Sequence, residues 1–123
     1  SNLFAGQNPT TELDVTKGVA IGEVKQAIDF FGDGSFWVLS SPGHTPGSLA
    51  FVANTDKGPV LFTGDTCHTR WGWENQVEPG EFTGDHPANQ ASLAQLSSIV
   101  KALPRATVMT GHEWEPAGPL VAK

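Results

Sequence analysis

The sequence predicts an α/β (α+β) domain with a mostly antiparallel β-sheet and one main amphipathic helix. The first observation is a series of short apolar runs separated by glycine-rich and polar turns, which is typical of strands. The second is a longer stretch with apolar residues at three- and four-residue steps, and the third is a last apolar run after it. With 123 residues, 14 of them glycine and 9 proline, the chain forms one turn-rich domain at most.

Strands are predicted in the first half of the chain, after an irregular lead-in over residues 1–18. A strand-like pattern begins at Val19. The clearest strands are 26–31, 35–40, 48–54 and 59–62. A Gly-Asp-Gly segment between the first two is a hairpin signal, and an Asp-Lys-Gly turn separates the last two. The last run is wholly apolar, which suits a strand covered on both faces.

The helix is predicted to begin near Pro87, which fits a first helical turn, and to end before Pro104. Its apolar stripe consists of Leu93, Leu96, Ile99, Val100 and Leu103. A short strand follows at 106–109, and residues 116–123 form an irregular tail. Before the helix, residues 67–84 are predicted to be a long connection, and a loop of this length is more often functional than idle.

The charge and cysteine content exclude several classes of protein. The net charge is −6, from 7 basic and 13 acidic residues, and it argues against nucleic acid or an anionic membrane as a partner. No apolar run approaches the length of a membrane span. The single cysteine excludes an intrachain disulfide framework and is compatible with a reducing compartment. Other features of the sequence do not indicate a cellular compartment, and a cytoplasmic location is slightly favoured.

Three residues of metal-ligand type each follow a glycine close to the end of a predicted strand. His44 lies in a turn rich in proline and glycine, Asp65 comes 21 residues later, and His112 follows after another 47. Each residue alone is commonplace, because single histidines and Gly-Asp pairs occur in many surface turns. Together they predict a metal site for zinc, iron or manganese, with Asp65 as the catalytic carboxylate able to bridge two ions.

The segments PGHTPGS, FTGDT and TGHEW around these residues resemble the second half of the metallo-β-lactamase superfamily fold, above all its lactonase- and glyoxalase-like hydrolases. The resemblance covers residues 19–115 and implies the C-terminal half of an αββα sandwich. It implies that His44 binds a first zinc ion, that Asp65 bridges two, and that His112 binds the second. It further implies that in the intact enzyme a metal-bound hydroxide would attack an ester, lactone, thioester or amide carbonyl.

The chain departs from that family pattern in one respect. Members carry an earlier His-x-His-x-Asp-His segment that supplies two ligands to each metal, whereas no histidine precedes His44 here. Each ion would keep two protein ligands, while zinc takes three in typical catalytic sites and four in structural ones. The resemblance therefore implies that the isolated chain binds metal weakly and catalyses poorly.

Other side chains near Asp65 leave alternatives open. Cys67 and His68 are possible substitute ligands, although Cys67 also suits a small buried position and His68 a supporting or solvent-facing one. Trp71 and Trp73 could form a substrate wall, or serve core packing or a partner contact. His86 fits the surface. The related lactonases often place a tyrosine after the bridging aspartate, and the absence of tyrosine argues against lactone specificity.

Three hypotheses for function follow. The chain is the C-terminal half of a dizinc hydrolase that acts on a small-molecule substrate only when completed by an N-terminal half. In the second hypothesis, it is a domain that dimerises and uses its remaining ligands for one metal site. In the third, it is a non-catalytic structural module. One half of a sandwich leaves an apolar face uncovered, which predicts a homodimer or a complementing N-terminal half as partner. For the isolated chain, the second and third hypotheses are favoured over catalysis.

Overall fold

A six-stranded β-sheet with its strands in chain order is the frame of the molecule, in a computed structural model that describes residues 13–122. The strands are β1 (Val19–Ile21), β2 (Val24–Asp29), β3 (Phe36–Ser40), β4 (Leu49–Thr55), β5 (Gly58–Phe62) and β6 (Thr107–Met109). Neighbouring strands are antiparallel except β5 and β6, which are parallel and joined through helices α1 (Arg70–Asn75) and α2 (His86–Lys101). The predicted α+β class, with a mostly antiparallel sheet and one main helix, is confirmed.

Helix α2 covers one face of the sheet and forms the core with it. The carboxylate of Asp85 caps the first turn by accepting a hydrogen bond from the N–H of Ala88, and Pro87 lies in that turn as predicted. The buried core side chains include Val24, Leu39, Val52, Leu61, Val108, Leu93, Leu96 and Ile99. Each buried aliphatic side chain of this kind contributes about 1.5–3 kcal/mol, so the predicted stripe anchors the helix.

Two short elements lie where the sequence predicts irregular chain. Residues Val15–Lys17 of the lead-in form a 3-10 turn, in which the Asp14 carboxylate accepts from the N–H of Thr16; residues 1–12 lie outside the described part. The predicted connection 67–84 contains α1, which begins at the cap Thr69 and ends at Gln76 in the left-handed conformation (φ 56°). Both corrections concern short elements, of three and six residues, that begin at a side-chain cap and are too short to show apolar periodicity.

The opposite face of the sheet carries a continuous row of large apolar side chains. Phe51, Phe62 and Met109 are direct neighbours across β4, β5 and β6, and the ring of Phe36 stacks on Phe51 with 5.7 Å between centroids. These four residues, called the aromatic face below, line an open groove, and Phe62 is 40% exposed. None of the helices within residues 13–122 has the length and apolar character needed to cross a membrane.

Candidate metal centre

Four side chains with metal-binding groups meet at one edge of the sheet. His44 follows β3, Asp65 lies in a 3-10 turn (Gly64–Thr66) directly after β5, and His112 follows β6. Because β3, β5 and β6 run in the same direction, their ends lie at the same edge. His68 comes three residues after Asp65. The topology thus brings together residues that are far apart in the sequence.

The carboxylate of Asp65 is the centre of this cluster. The Nε2 atom of His44 lies 3.6 Å from its Oδ2 atom. The Nε2 atoms of His68 and His112 lie 3.5 and 3.1 Å from its Oδ1 atom. The structure therefore gathers the three residues singled out as ligands in the sequence and adds His68, with one ring nitrogen of each histidine directed at the same carboxylate.

The loop that carries His44 is held against the first turn of α2 through Asn89. The side-chain oxygen of Asn89 accepts from the backbone N–H of His44 at 3.0 Å, and its amide donates to the carbonyl oxygen of Thr66 at 3.0 Å. Asn89 is fully buried, and Ser92 donates to the carbonyl oxygen of Pro42 at 2.7 Å. One buried amide thus ties the loop of His44 to the turn that carries Asp65.

Gly43→Ala is expected to destabilise the fold by about 2–3 kcal/mol. Gly43 has φ +145°, and a methyl group there would overlap the backbone of Asn89, so the loop of His44 would have to move off the helix. Urea unfolding measures the change. Gly47→Ala is the matched control on the other side of His44, because nothing lies within 4 Å of its added methyl group and we expect a change within about 0.5 kcal/mol. Equal stability of the two variants would contradict this account.

Backbone hydrogen bonds hold His68 beside His112 beyond the end of the sheet. The N–H of Gly111 donates to the carbonyl oxygen of Cys67 at 2.9 Å, and the N–H of His112 donates to that of His68 at 3.0 Å. Only glycine fits at position 111, because a methyl group there would overlap the carbonyl oxygen of Gly64. As a result, the imidazoles of His68 and His112 stack with 3.9 Å between centroids and 8° between planes.

An ion-pair network fixes the segment after His112. Arg70 donates from its backbone N–H and its Nε atom to the two carboxylate oxygens of Glu113, at 3.1 and 2.8 Å, and from Nη1 to Glu115 at 2.8 Å. The hydrogen bonds from Arg70 hold the pKa of the Glu113 carboxyl below its usual value. Sequence reasoning missed Arg70, Glu113 and Asn89, because their partners lie 23 to 45 residues away in the chain.

The environment of the cluster fits a bound metal ion. Burial lowers the pKa of His68 and the neighbouring His112 lowers it further, so the imidazole is neutral at pH 7, which is the form that binds metals. The Nδ1 atom of His44 and the Nε2 atom of His68 are buried and have no hydrogen-bond partner within the described part of the chain. Asp65 and His112 keep about half of their side-chain surface exposed, so the cluster is open on one side.

The other side chains singled out from the sequence lie elsewhere. Cys67 is fully buried in the core, its Sγ atom donates to the carbonyl oxygen of Thr69, and burial raises its pKa to about 11. Its sulfur is not among the ligand atoms that lie together around Asp65, so the structure gives no support to its interpretation as a substitute ligand. Trp73 is a core residue, 1% exposed, so only Trp71, 63% exposed, remains available for a substrate wall. His86 lies at the surface, 2.6 Å from Glu78.

Comparison with known proteins finds metallo-hydrolases, although no family model matches the chain. It is 47% identical over 108 residues to the γ-lactamase MBL2 of Gibberella moniliformis, a match that covers 80% of this chain and 40% of the relative. It is 34% identical over 92 residues to the N-acyl homoserine lactonase AttM of Azorhizobium caulinodans, covering 74% of this chain and 34% of the relative. The chain thus spans between about a third and two fifths of the length of these curated relatives.

Solved structures show the same backbone arrangement. An N-acyl homoserine lactone hydrolase with the product N-hexanoyl-L-homoserine at its catalytic metal centre superposes with a TM-score of 0.61 at 24% identity, over 72% of this chain and 34% of that one. The hydrolase AbOPH of the beta lactamase superfamily superposes with a TM-score of 0.54 at 23% identity, over 70% and 30%. At these identities the likeness establishes a shared fold.

Proposed function

Because this chain belongs to the metallo-β-lactamase superfamily, as a partial domain of lactonase-like type, we propose that it supplies the C-terminal half of a metal-dependent hydrolase. The predicted half of the αββα sandwich is confirmed by the sheet, its covering helix and the structural neighbours. The observation that carries the functional proposal is the approach of three histidine Nε2 atoms to Asp65 at the open edge of the sheet. We propose an ester, lactone, thioester or amide as the substrate.

Zinc is the metal we propose, with two ions in the completed fold. Imidazole nitrogen and carboxylate oxygen without thiolate suit zinc, and when bound the metal activates water and polarises a carbonyl group. The two oxygens of Asp65 face different histidines, since Oδ2 is next to His44 and Oδ1 is next to His112. In the completed fold, Asp65 and His44 would hold one ion, and Asp65 and His112 would hold the other.

The substrate class follows from the open side of the cluster and from the relatives. The exposed surfaces of Asp65 and His112 leave room for a small molecule, and the exposed Trp71 could supply an apolar contact. The relatives are named as lactonases and γ-lactamases, and the 47% identity is to a γ-lactamase. Together with the absence of tyrosine, this favours the amide of a γ-lactam as the bond that is cleaved.

The aromatic face supports a complementing N-terminal half as the partner. Its groove reaches Gly64, the residue before Asp65, and a neighbouring groove extends from Phe62 to His112. A domain packed on this face would therefore bring its own side chains to the metal cluster. The relatives contain enough additional chain for such a half, since this chain covers only 34–40% of them.

Mixing the chain with the portion of the γ-lactamase MBL2 that it does not match tests the proposal. We expect the mixture, supplied with zinc, to hydrolyse a γ-lactam in preference to an N-acyl homoserine lactone, and each piece alone to be inactive, because each supplies only some of the ligands. Zinc content and light scattering are measured on the same samples. An associated, zinc-loaded mixture that hydrolyses neither compound would overturn the proposal.

Phe62→Glu is expected to weaken association with the complementing half by about thirtyfold or more, because it places a charge in the centre of the aromatic face. Fluorescence anisotropy of a labelled partner measures the affinity. Phe82→Glu is the matched control, since Phe82 is 80% exposed in the connection between α1 and α2 and should tolerate the charge. Equal affinities of the two variants would show that the partner does not use the aromatic face.

A second candidate function is that of a non-catalytic domain that associates with itself and binds metal. The uncovered aromatic face favours it, because exposed apolar surfaces of this kind are covered in stable proteins. This candidate predicts a symmetric dimer of the chain alone in light scattering and no hydrolysis in any mixture.

A further inference from the structure

We propose that His68 is a metal ligand, which with His44 and Asp65 forms a three-residue site for one divalent transition-metal ion within this single chain. The inference rests on the proposed metal-dependent function and adds a ligand to it. Each of the three residues offers one ligand atom, and these atoms lie within 4.8 Å of one another. The Nε2 atom of His44 lies 3.6 Å from Oδ2 of Asp65, and the Nε2 atom of His68 lies 3.5 Å from Oδ1. Ligand atoms about 2.0–2.1 Å from a tetrahedral zinc ion are about 3.3 Å apart, so little movement is required.

The unpaired nitrogen of His68 is the second observation. Its Nε2 atom is buried and forms no hydrogen bond within residues 13–122. A buried polar atom left unpaired costs about 1–3 kcal/mol, so such atoms in native proteins usually have a partner. A metal ion between His68 and Asp65 would supply that partner.

The backbone around His68 holds the imidazole in place for this role. Its carbonyl oxygen accepts from the N–H of His112, and the next residue, Thr69, caps α1 by accepting from the N–H of Gly72 at 2.9 Å. The side chain of His68 is 17% exposed. A ligand fixed in this way loses little conformational entropy when the metal binds. One ion would therefore have three protein ligands from this chain alone, the number found in typical catalytic zinc sites, rather than two.

If His68 serves only to pack against His112, its substitution by another aromatic residue should have little effect on metal binding. The ring stacks on His112 with 3.9 Å between centroids, and any flat aromatic ring of similar size would keep that contact. Metal binding, in contrast, requires the ring nitrogen. His68→Phe separates the two roles because it retains an aromatic ring and removes the nitrogen.

The test is titration of the metal-free chain with Co²⁺ alone, for the wild type, His68→Phe and the control His86→Phe. We expect the wild type to bind one ion and His68→Phe to bind it at least about tenfold more weakly, since even residues that only support ligands change metal affinity tenfold to a hundredfold. Proton NMR of the cobalt-loaded protein then counts coordinated histidines by their shifted imidazole N–H signals. His68→Phe should show one signal fewer than the wild type, and His86→Phe the same number.

The signal count decides between a ligand and a supporting residue. A His68→Phe variant that is folded by circular dichroism and shows the wild-type number of signals overturns the inference, and so does a wild-type chain that binds no cobalt. Neither result touches the proposed hydrolase function, which is tested separately by the activity of the two mixed pieces. Conversely, if the mixture is inactive but His68→Phe shows one histidine signal fewer than the wild type, the hydrolase function is overturned and the proposed metal site is retained.

Discussion

Asp65→Asn is expected to lower the zinc affinity of the chain by about a hundredfold or more and to abolish hydrolysis in the mixture with the complementing half. The amide has the same shape as the carboxylate, but it carries no charge and only one of its two atoms can accept a metal. Three histidine nitrogens approach the two oxygens of Asp65 within 3.1–3.6 Å, so no other side chain in the cluster replaces it. A hundredfold loss corresponds to about 2.7 kcal/mol. Competition with a chromophoric chelator measures the affinity.

Asp56→Asn is the matched control for this substitution. Asp56 is exposed in the turn between β4 and β5, so it should leave both metal affinity and activity unchanged. Asp65 is itself half exposed, so we expect its substitution to change the free energy of unfolding by no more than about 1 kcal/mol. A variant that is folded and still binds zinc as the wild type does would show that Asp65 is not a ligand.

The framework of this domain could be predicted from sequence because its signals are local. Apolar runs bounded by turn residues mark β2 to β6, and the stripe of Leu93, Leu96 and Ile99 marks α2 within two or three residues of its ends. The cluster at the sheet edge could also be predicted, since His44, Asp65 and His112 each follow a strand end. The ends of strands that run in the same direction lie at the same edge of the sheet. The order and direction of the strands are therefore enough to place these three residues together.

The parts that could not be predicted depend on contacts between distant segments. Trp71 and Trp73 are only two residues apart, yet one is exposed and the other is in the core, because residues two positions apart on helix α1 point to different sides. The position of His68 beside Asp65 depends on the pairing of its carbonyl group with His112, 44 residues away. In the sequence, Asn89 looks like an ordinary polar residue of an amphipathic helix, and no neighbouring residue indicates that it is buried.

Asn89→Leu is therefore the substitution that best tests how the fold builds the site. Asn89 satisfies the N–H of His44 and the carbonyl oxygen of Thr66, both at 3.0 Å, from a fully buried position. Leucine has a similar size but leaves both backbone groups unpaired. Because an unsatisfied buried group costs about 1–3 kcal/mol, we expect a loss of about 2–4 kcal/mol in the free energy of unfolding. Urea denaturation measures it.

Metal affinity should fall in the same variant, although the two hydrogen bonds described for Asn89 go to backbone groups and not to ligand side chains. The two loops that carry His44 and Asp65 would separate once the amide no longer joins them. The ligands would then be displaced while the hydrophobic core stays folded. Gln90→Leu is the control, since the amide of Gln90 also bonds a backbone carbonyl, that of Gln76, but at the surface. There water replaces the lost partner, so we expect a change within about 0.5 kcal/mol and unchanged zinc binding. If Asn89→Leu lost stability but bound zinc normally, the buried amide would support the fold without positioning the ligands.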